Sequence, residues 1–282
     1  MRPMTSESVP RPALRALRAA LIGIAALGLL AACSSDEEPK YVERPVEELY
    51  NEALDQLEAE NFEDAVTAFE EVDRQHPYSV WATKAQLMTA YTHYLADEYD
   101  EAIIALDRFT DLHPGNRDIG YAYYLRAISY YEQIVDVQRD QRVTKLALDS
   151  LQQVVQRFPN SEYSRDAALK IDLTRDHLAG KEMAIGRYYQ RRDEQLAAIN
   201  RFRTVIEEYQ TTTHVPEALH RLVECYIALG ITQEAQTAAA VLGHNFPGST
   251  WYRDSYALLE GKDLAADPST NSWLRSAWNW IF

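Results

Sequence analysis

Between residues 46 and 260, apolar positions recur every three or four residues and are broken at regular intervals by proline. That is the pattern of amphipathic helices punctuated by stops. The stretch from Asn61 to Pro77 shows the unit most plainly: Ala65, then Phe69 four residues on, then Pro77 twelve residues after the alanine. A small residue lets a neighbouring helix approach, the bulky one fills the groove beside it, and proline ends the helix. The marks return as Ala102, Leu106 and Pro114, as Ala147, Leu151 and Pro159, as Ala198, Phe202 and Gln210, and as Ala235, Ala239 and Pro247. The residue before each mark is aromatic or histidine: His76, His113, Phe158, Tyr209 and Phe246. The fourth copy lacks proline at its mark, and Pro216 is placed to open the following helix.

Partner helices align with these. Ala53, Ala90, Gly186 and Val223 each stand twelve residues before their repeat's alanine, whereas Ala127 stands twenty before Ala147. The eight extra residues therefore belong in the turn of the third repeat, around Asp136 to Arg142, where the sequence DVQRDQR is charged and loop-like. A second irregularity is longer. Ala65, Ala102 and Ala198 are followed by the next small residue after 25 positions, but Ala147 by Gly186 only after 39. Fourteen extra residues are close to four helical turns and keep a helix's faces in register. The spacing predicts one long helix from about Glu162 to Arg191, with Gly180 the place for a bend; a break at Leu178-Ala179-Gly180 into two helices is the alternative. A period near 34 with small residues at the pair contact resembles the tetratricopeptide repeat, over roughly Val46 to Glu260. The first-helix tryptophan of that motif is missing, with Leu49 and Gln86 in its place. The expected fold is all-α, a solenoid of about five tetratricopeptide-like helix pairs, which offers a concave surface and not a catalytic cleft.

Two end segments stand outside the pattern. Arg11, Arg15 and Arg18 precede a short apolar run, Leu21 to Leu30, which closes in Leu30-Ala31-Ala32-Cys33 and then turns polar. The run is short for a bilayer span and reads as an export signal over residues 1–32. Leu-Ala-Ala-Cys resembles the lipobox of bacterial lipoproteins, which makes Cys33 the lipidated first residue of the mature chain; an ordinary signal cleaved after Ala32 is the plainer alternative. Serine at 34 resembles the sorting pattern for the outer membrane. Residues 33–45 read as a lipidated N-terminus and flexible tether, and 46–260 as the repeat domain. In the tail, 261–282, Trp273, Leu274, Ala277, Trp278 and Ile281 make one apolar stripe at helical spacing. It suits either a capping helix over the last repeat or a tail that binds a partner or a membrane interface.

Charge narrows the partners. The whole chain carries −15, and without residues 1–32 it carries −18, which argues against nucleic acid. Cys225 is then the only thiol besides Cys33; it lies in an apolar stretch and reads as core. The seven histidines show no metal-binding helix spacing, and there is neither a glycine-rich phosphate loop nor a nucleophile elbow. The sequence therefore points to no enzyme and no cofactor. What stands out is tyrosine and arginine on the first helices of repeats two and three, the residue types that dominate binding hot spots. Tyr91 and Tyr94 precede Arg108-Phe109, and Tyr121, Tyr123, Tyr124, Arg126, Tyr130 and Tyr131 follow. Arginines beside tyrosines suit an aromatic peptide end that carries a carboxylate.

Several stretches resemble the BamD family, lipoproteins of the outer-membrane β-barrel assembly machinery. They are Ile104 to Phe109, Tyr121 to Arg126, Phe158 to Tyr163, Arg187 to Arg192 and Ala198 to Phe202, and the likeness runs to about Leu259. The resemblance implies a non-enzymatic scaffold, lipid-anchored on the periplasmic face of the outer membrane. It implies as partners the periplasmic POTRA domains of BamA, other Bam subunits and unfolded outer-membrane barrel proteins. By position in the matched motif, Arg201 is the expected BamA contact. Tyr78, Tyr91, Tyr94, Arg108, Tyr121, Tyr124 and Arg126 are the expected receptors for the C-terminal signal of the barrel proteins. Glu63 departs from the family, being acidic where a basic residue is expected, and that weakens the first repeat's claim on the signal. A generic periplasmic repeat lipoprotein that coordinates envelope growth or polysaccharide export is the alternative function.

Overall fold

The computed structural model describes residues 43–260. Cys33, the signal peptide, most of the tether and the tryptophan-rich tail lie outside the described residues. Eleven helices are described, and no strand among the described residues. They are α1 (Val46–Glu58), α2 (Phe62–Gln75), α3 (Val80–Leu95), α4 (Tyr99–Leu112), α5 (Ile119–Glu132), α6 (Arg142–Arg157), α7 (Glu162–Gln190), α8 (Gln195–Glu208), α9 (Val215–Ala228), α10 (Thr232–Asn245) and α11 (Thr250–Leu259). Each packs chiefly on the helix before and the helix after it, and α1, α3, α5 and α7 also touch in succession. This is a stack of five helix pairs, with α11 laid against α9 and α10 in the place of a sixth pair's first helix.

The repeating alanines explain the stack. Ala65, Ala102, Ala147, Ala198 and Ala235 are all fully buried, as are Ala53, Ala90 and Ala127 on the partner helices. Phe69, Leu106, Leu151 and Phe202, one turn beyond the alanines, are fully buried too. The aromatic or histidine before each mark is the residue where the second helix ends. From His76, His113, Phe158, Tyr209 and Phe246, a carbonyl accepts the backbone N–H three residues on, at 3.0–3.1 Å. Proline behind four of them forbids the helical conformation, so the chain turns. Two residues after Pro77, Pro159 and Pro247 stands a serine, and Ser79, Ser161 and Ser249 cap α3, α7 and α11 with their hydroxyls.

Both predicted irregularities are present. α7 is one continuous helix of 29 residues, Gly180 included, so the two-helix alternative is excluded. The third repeat's turn spans residues 133–141, and Gln141 holds it by donating to the carbonyls of Asp136, Val137 and Arg139. Lys181 of α7 donates to the carbonyls of Gln138 and Arg139 at 2.8 and 3.2 Å.

The turns inside the other four pairs share one device that composition hides. Glu60, Asp97, Asp193 and Gly230 all have φ between 59° and 73°, and each lies five residues before its repeat's alanine. The next residue's N–H closes back on the carbonyl five residues earlier, as in Asn61 to Gln56 and Glu98 to His93. Only glycine takes this conformation without steric cost. Glu60 is exposed and has a Cβ, so Glu60→Gly should stabilise the fold by about 0.5–1 kcal/mol. A urea midpoint raised at unchanged slope is the expected result; a lower midpoint would show that the glutamate does more than close the turn.

Candidate functional site

Tyr91 and Tyr94 on α3 and Tyr121 on α5 pack around one core cluster, and Tyr94 joins Tyr124 at the next. Tyr163, in the first turn of α7, closes the group: its ring lies 5.6 Å from Tyr121 and stacks on Tyr124 at 5.2 Å. All are half-buried, so a ridge of tyrosines runs across three successive first helices. Tyr124 donates to Asp166 at 2.7 Å, and Lys170 in turn sits 3.5 Å from Asp166. Burial pushes the hydroxyl pKa of Tyr121 up, and burial with the Asp166 bond does the same for Tyr124. Tyr94 is raised by burial and then by Glu132. These hydroxyls stay protonated and can donate hydrogen bonds, which suits recognition and not base catalysis.

The arginines do not join the ridge. Arg126 bridges the second helices: it donates to Asp107 of α4 at 2.6 Å and Gln153 of α6 at 3.1 Å. Its guanidinium lies 5.0 Å from the ring of Tyr123, and Arg157 lies 5.0 Å from that same ring. Arg108 stands on α4, a second helix, and not among the first helices where the sequence reading grouped it. It is exposed and lines a hollow of about 440 Å³ with Phe69, Ile104 and Phe109. Tyr78 is fully exposed in the loop between α2 and α3. Arg108 falls on a second helix by its spacing from Ala102; for Arg126, whether a first-helix residue faces the next first helix or the second helices depends on the rotation of its helix, which the spacing of the repeat marks does not specify. Tyr163 is not among the residues expected to receive the signal, although it ends the family-like stretch Phe158 to Tyr163 and lies in the first turn of the helix capped by Ser161.

Arg201 on α8 donates to Glu182 of α7 at 3.0 Å and is about half exposed. It borders a hollow of about 200 Å³ with Tyr189, Ala197, Asn200 and Thr204. Glu182 also borders a larger hollow, about 450 Å³, between the third repeat's turn, Lys145, Lys181 and Tyr209. Arg201 is thus tied to Glu182 through Nη1 while its side chain lines the smaller hollow.

A third constellation is sealed. Glu224 of α9 accepts from Arg221 at 2.8 Å and from Gln190 of α7 at 2.9 Å, and lies 3.2 Å from His220 Nε2. His220 Nδ1 meets the Ser255 hydroxyl of α11 at 2.8 Å. Serine, imidazole and carboxylate stand in hydrolase order, but their exposures of 0%, 1% and 2% leave no path for a substrate. The arrangement ties α7, α9 and α11 together. Beside it Cys225 is buried, and burial pushes its thiol up to about 12, as a core cysteine should be. Among the described residues no cluster of histidine, cysteine and carboxylate could hold a metal ion, and no helix is long and apolar enough to cross a membrane.

Comparison with known proteins agrees with the sequence resemblance. Residues 42–242 match the family model YfiO, described as outer membrane lipoprotein. The outer membrane protein assembly factor BamD of Caulobacter vibrioides is 56% identical over 79% of this chain and 73% of its own. BamD of Rickettsia prowazekii is 46% identical over 85% of this chain and 96% of its own. Among solved structures, the tetratricopeptide domain of P58(IPK) aligns at 15% identity with a TM-score of 0.40, covering 77% of this chain and 56% of that one. With two long relatives above 45% identity and a family model spanning most of the helix stack, the chain belongs to the YfiO family of outer membrane lipoproteins, alongside the BamD assembly factors.

Proposed function

We propose that this chain is a non-enzymatic scaffold of the outer-membrane β-barrel assembly machinery, anchored through lipid on Cys33 to the periplasmic face of the outer membrane. Its C-terminal repeats hold the POTRA domains of BamA through Arg201. Its N-terminal repeats receive the C-terminal signal of unfolded barrel proteins. The observation that carries this reading is kinship with named assembly factors along the helix stack, in a chain whose conspicuous side chains are recognition residues. Tyr91, Tyr94, Tyr121 and Tyr124 offer aromatic faces, and burial keeps the hydroxyls of Tyr94, Tyr121 and Tyr124 protonated. Arg108 lines a hollow that mixes Phe69, Ile104 and Phe109 with Glu70, Asp73 and Glu101, and its guanidinium is the group offered to a terminal carboxylate beside an aromatic side chain. Arg126, tied to Asp107 and Gln153, positions Tyr123 and its neighbours, and Tyr78 adds an unshielded ring at the α2–α3 loop.

Co-purification from detergent-solubilised membranes tests the scaffold. Arg201→Glu should lose the POTRA-bearing barrel protein while its helicity stays that of the wild type. Unchanged recovery of that protein would remove Arg201 from the interface. Arg108→Glu should weaken binding of a peptide with an aromatic C-terminus at least about tenfold, a cost of about 1.4 kcal/mol. Equal affinity would place the signal elsewhere. Cys33→Ser should abolish palmitate labelling, and persistent label would overturn the anchor.

A further inference from the structure

We infer that the hollow at Arg108 prefers peptide ends that carry a lysine or arginine two or three residues before the terminal aromatic, with Glu101 and Glu70 as the groups that read it. This deepens the reading of Arg108 as the receptor for a terminal carboxylate, and rests on it.

The hollow lies between two second helices, α2 and α4, with α3 completing its lining. On α4, Glu101, Ile104, Ala105 and Arg108 stand at i, i+3, i+4 and i+7 and share one face. Ile104, 69% exposed, separates the carboxylate from the guanidinium. The other titratable side chains of the lining are taken. Asp73 accepts from Gln86 at 2.9 Å, and Gln86 meets His113 Nε2 at 2.8 Å. Arg74 pairs with Glu71 on its own helix, and His93 with Glu98 at 2.8 Å. Among the described residues, Glu70, Glu101 and Arg108 are left without a hydrogen-bonded or ion-paired partner, and all three are exposed.

Spacing turns those three charges into a sequence requirement. Glu101 and Arg108 are two helical turns apart, about 10 Å along α4. An extended peptide that leaves its carboxylate on Arg108 and runs back along α4 covers that distance in about three residues. A long basic side chain bridges any remainder, so the second or third residue before the last meets Glu101. Arg108 can grip the terminal carboxylate with two parallel bonds, while Ile104 lies where the apolar part of the peptide passes. Glu70 borders the hollow from α2, so an acidic residue in the same place meets carboxylates from both helices. Specificity then comes from attraction of the basic peptide and repulsion of the acidic one together.

The test measures, by fluorescence anisotropy at low salt, how the purified full-length protein binds short peptides ending in phenylalanine. The peptides differ only in carrying lysine, serine or glutamate two or three residues before that end. Lysine should bind best and glutamate worst, with about fivefold between them, and added salt should close the gap. Glu101→Lys should reverse the order. That variant also loses a favourable charge in the first turn of α4, so the order of the peptides is the readout, and not affinity alone. Glu101→Gln combined with Glu70→Gln should erase the preference for lysine and leave the serine peptide unchanged. A preference that survives the double variant comes from the acidity of the chain at large and overturns the inference. If all the peptides bind the wild type within about twofold of one another while Arg108→Glu loses them, the inference is overturned and the reading of Arg108 stands. If Arg108→Glu binds them like the wild type, the reading beneath it falls as well.

Discussion

Gly186→Ala should destabilise the fold by about 2 kcal/mol, although alanine is the better helix former by about 1 kcal/mol. Gly186 sits inside α7 against the ring of Phe202 from α8. A Cβ there would stand 2.4 Å from one ring carbon of Phe202 and 2.8 Å from two more. Phe202 has no exposed surface and lies within the C-terminal core cluster, so its ring cannot swing away without disturbing Val205, Leu219 and Val223. Overpacking of this kind costs about 1–3 kcal/mol, and the clash outweighs the propensity gain. Gly186→Val should cost more, since a branched side chain must also pass the ring. The assignment is checked by a double-mutant cycle. Phe202→Leu alone opens a cavity and destabilises, but combined with Gly186→Ala it should cost clearly less than the sum of the two single changes. Strict additivity would mean that the glycine is not kept for the ring. The outcome bears on function because α7 and α8 carry both Glu182 and Arg201.

Gly186 was legible in the sequence as the small residue of the fourth repeat, because one fixed offset linked it to Ala198. The same offset located the five buried alanines of the second helices with Ala53 and Ala90, and its two failures located the turn insertion near Asp136 and the continuous α7. Such spacing survives in sequence because each helix pair can bury its apolar stripe only against its neighbours. Three features did not show. Glu60, Asp97 and Asp193 occupy glycine's place in their turns, and a charged residue gives no hint of positive φ. Arg108 belongs to a second helix, as its place six residues after Ala102 implies, whereas Arg126 stands on a first helix yet reaches Asp107 and Gln153 on second helices, a matter of helix rotation that linear spacing does not resolve. The stretch around Cys225 reads as core, but its apolar residues do not show that His220, Arg221 and Glu224 are buried with it, paired with one another and with Gln190 of α7 and Ser255 of α11.

Those α9 residues set the second large effect. Glu224→Gln should cost about 3 kcal/mol at neutral pH, and the cost should vanish in acid. Burial alone would raise the carboxyl pKa of Glu224, but hydrogen bonding and charge from His220 and Arg221 outweigh it and hold the group at about 2, below its ordinary 4.5. Glutamine keeps the shape and the bond from Gln190 but leaves the buried guanidinium of Arg221, among the described residues, with Glu217, 3.3 Å away, as its remaining carboxylate. Removing one member of a buried pair leaves the other short of counter-charge and shielded from solvent, which is why the loss is large. The sign of the pH effect follows from the depressed pKa. A carboxylate bound more tightly in the folded state adds stability above its unfolded pKa, and that stability is lost as pH falls through the folded value. The difference in unfolding free energy between wild type and Glu224→Gln should therefore be flat near neutrality and close between about pH 4.5 and pH 2. Taking the difference removes the background of the other carboxylates in this acidic chain. A gap that persists unchanged to pH 2 would show that packing, and not the charge on Glu224, joins α11 to the stack.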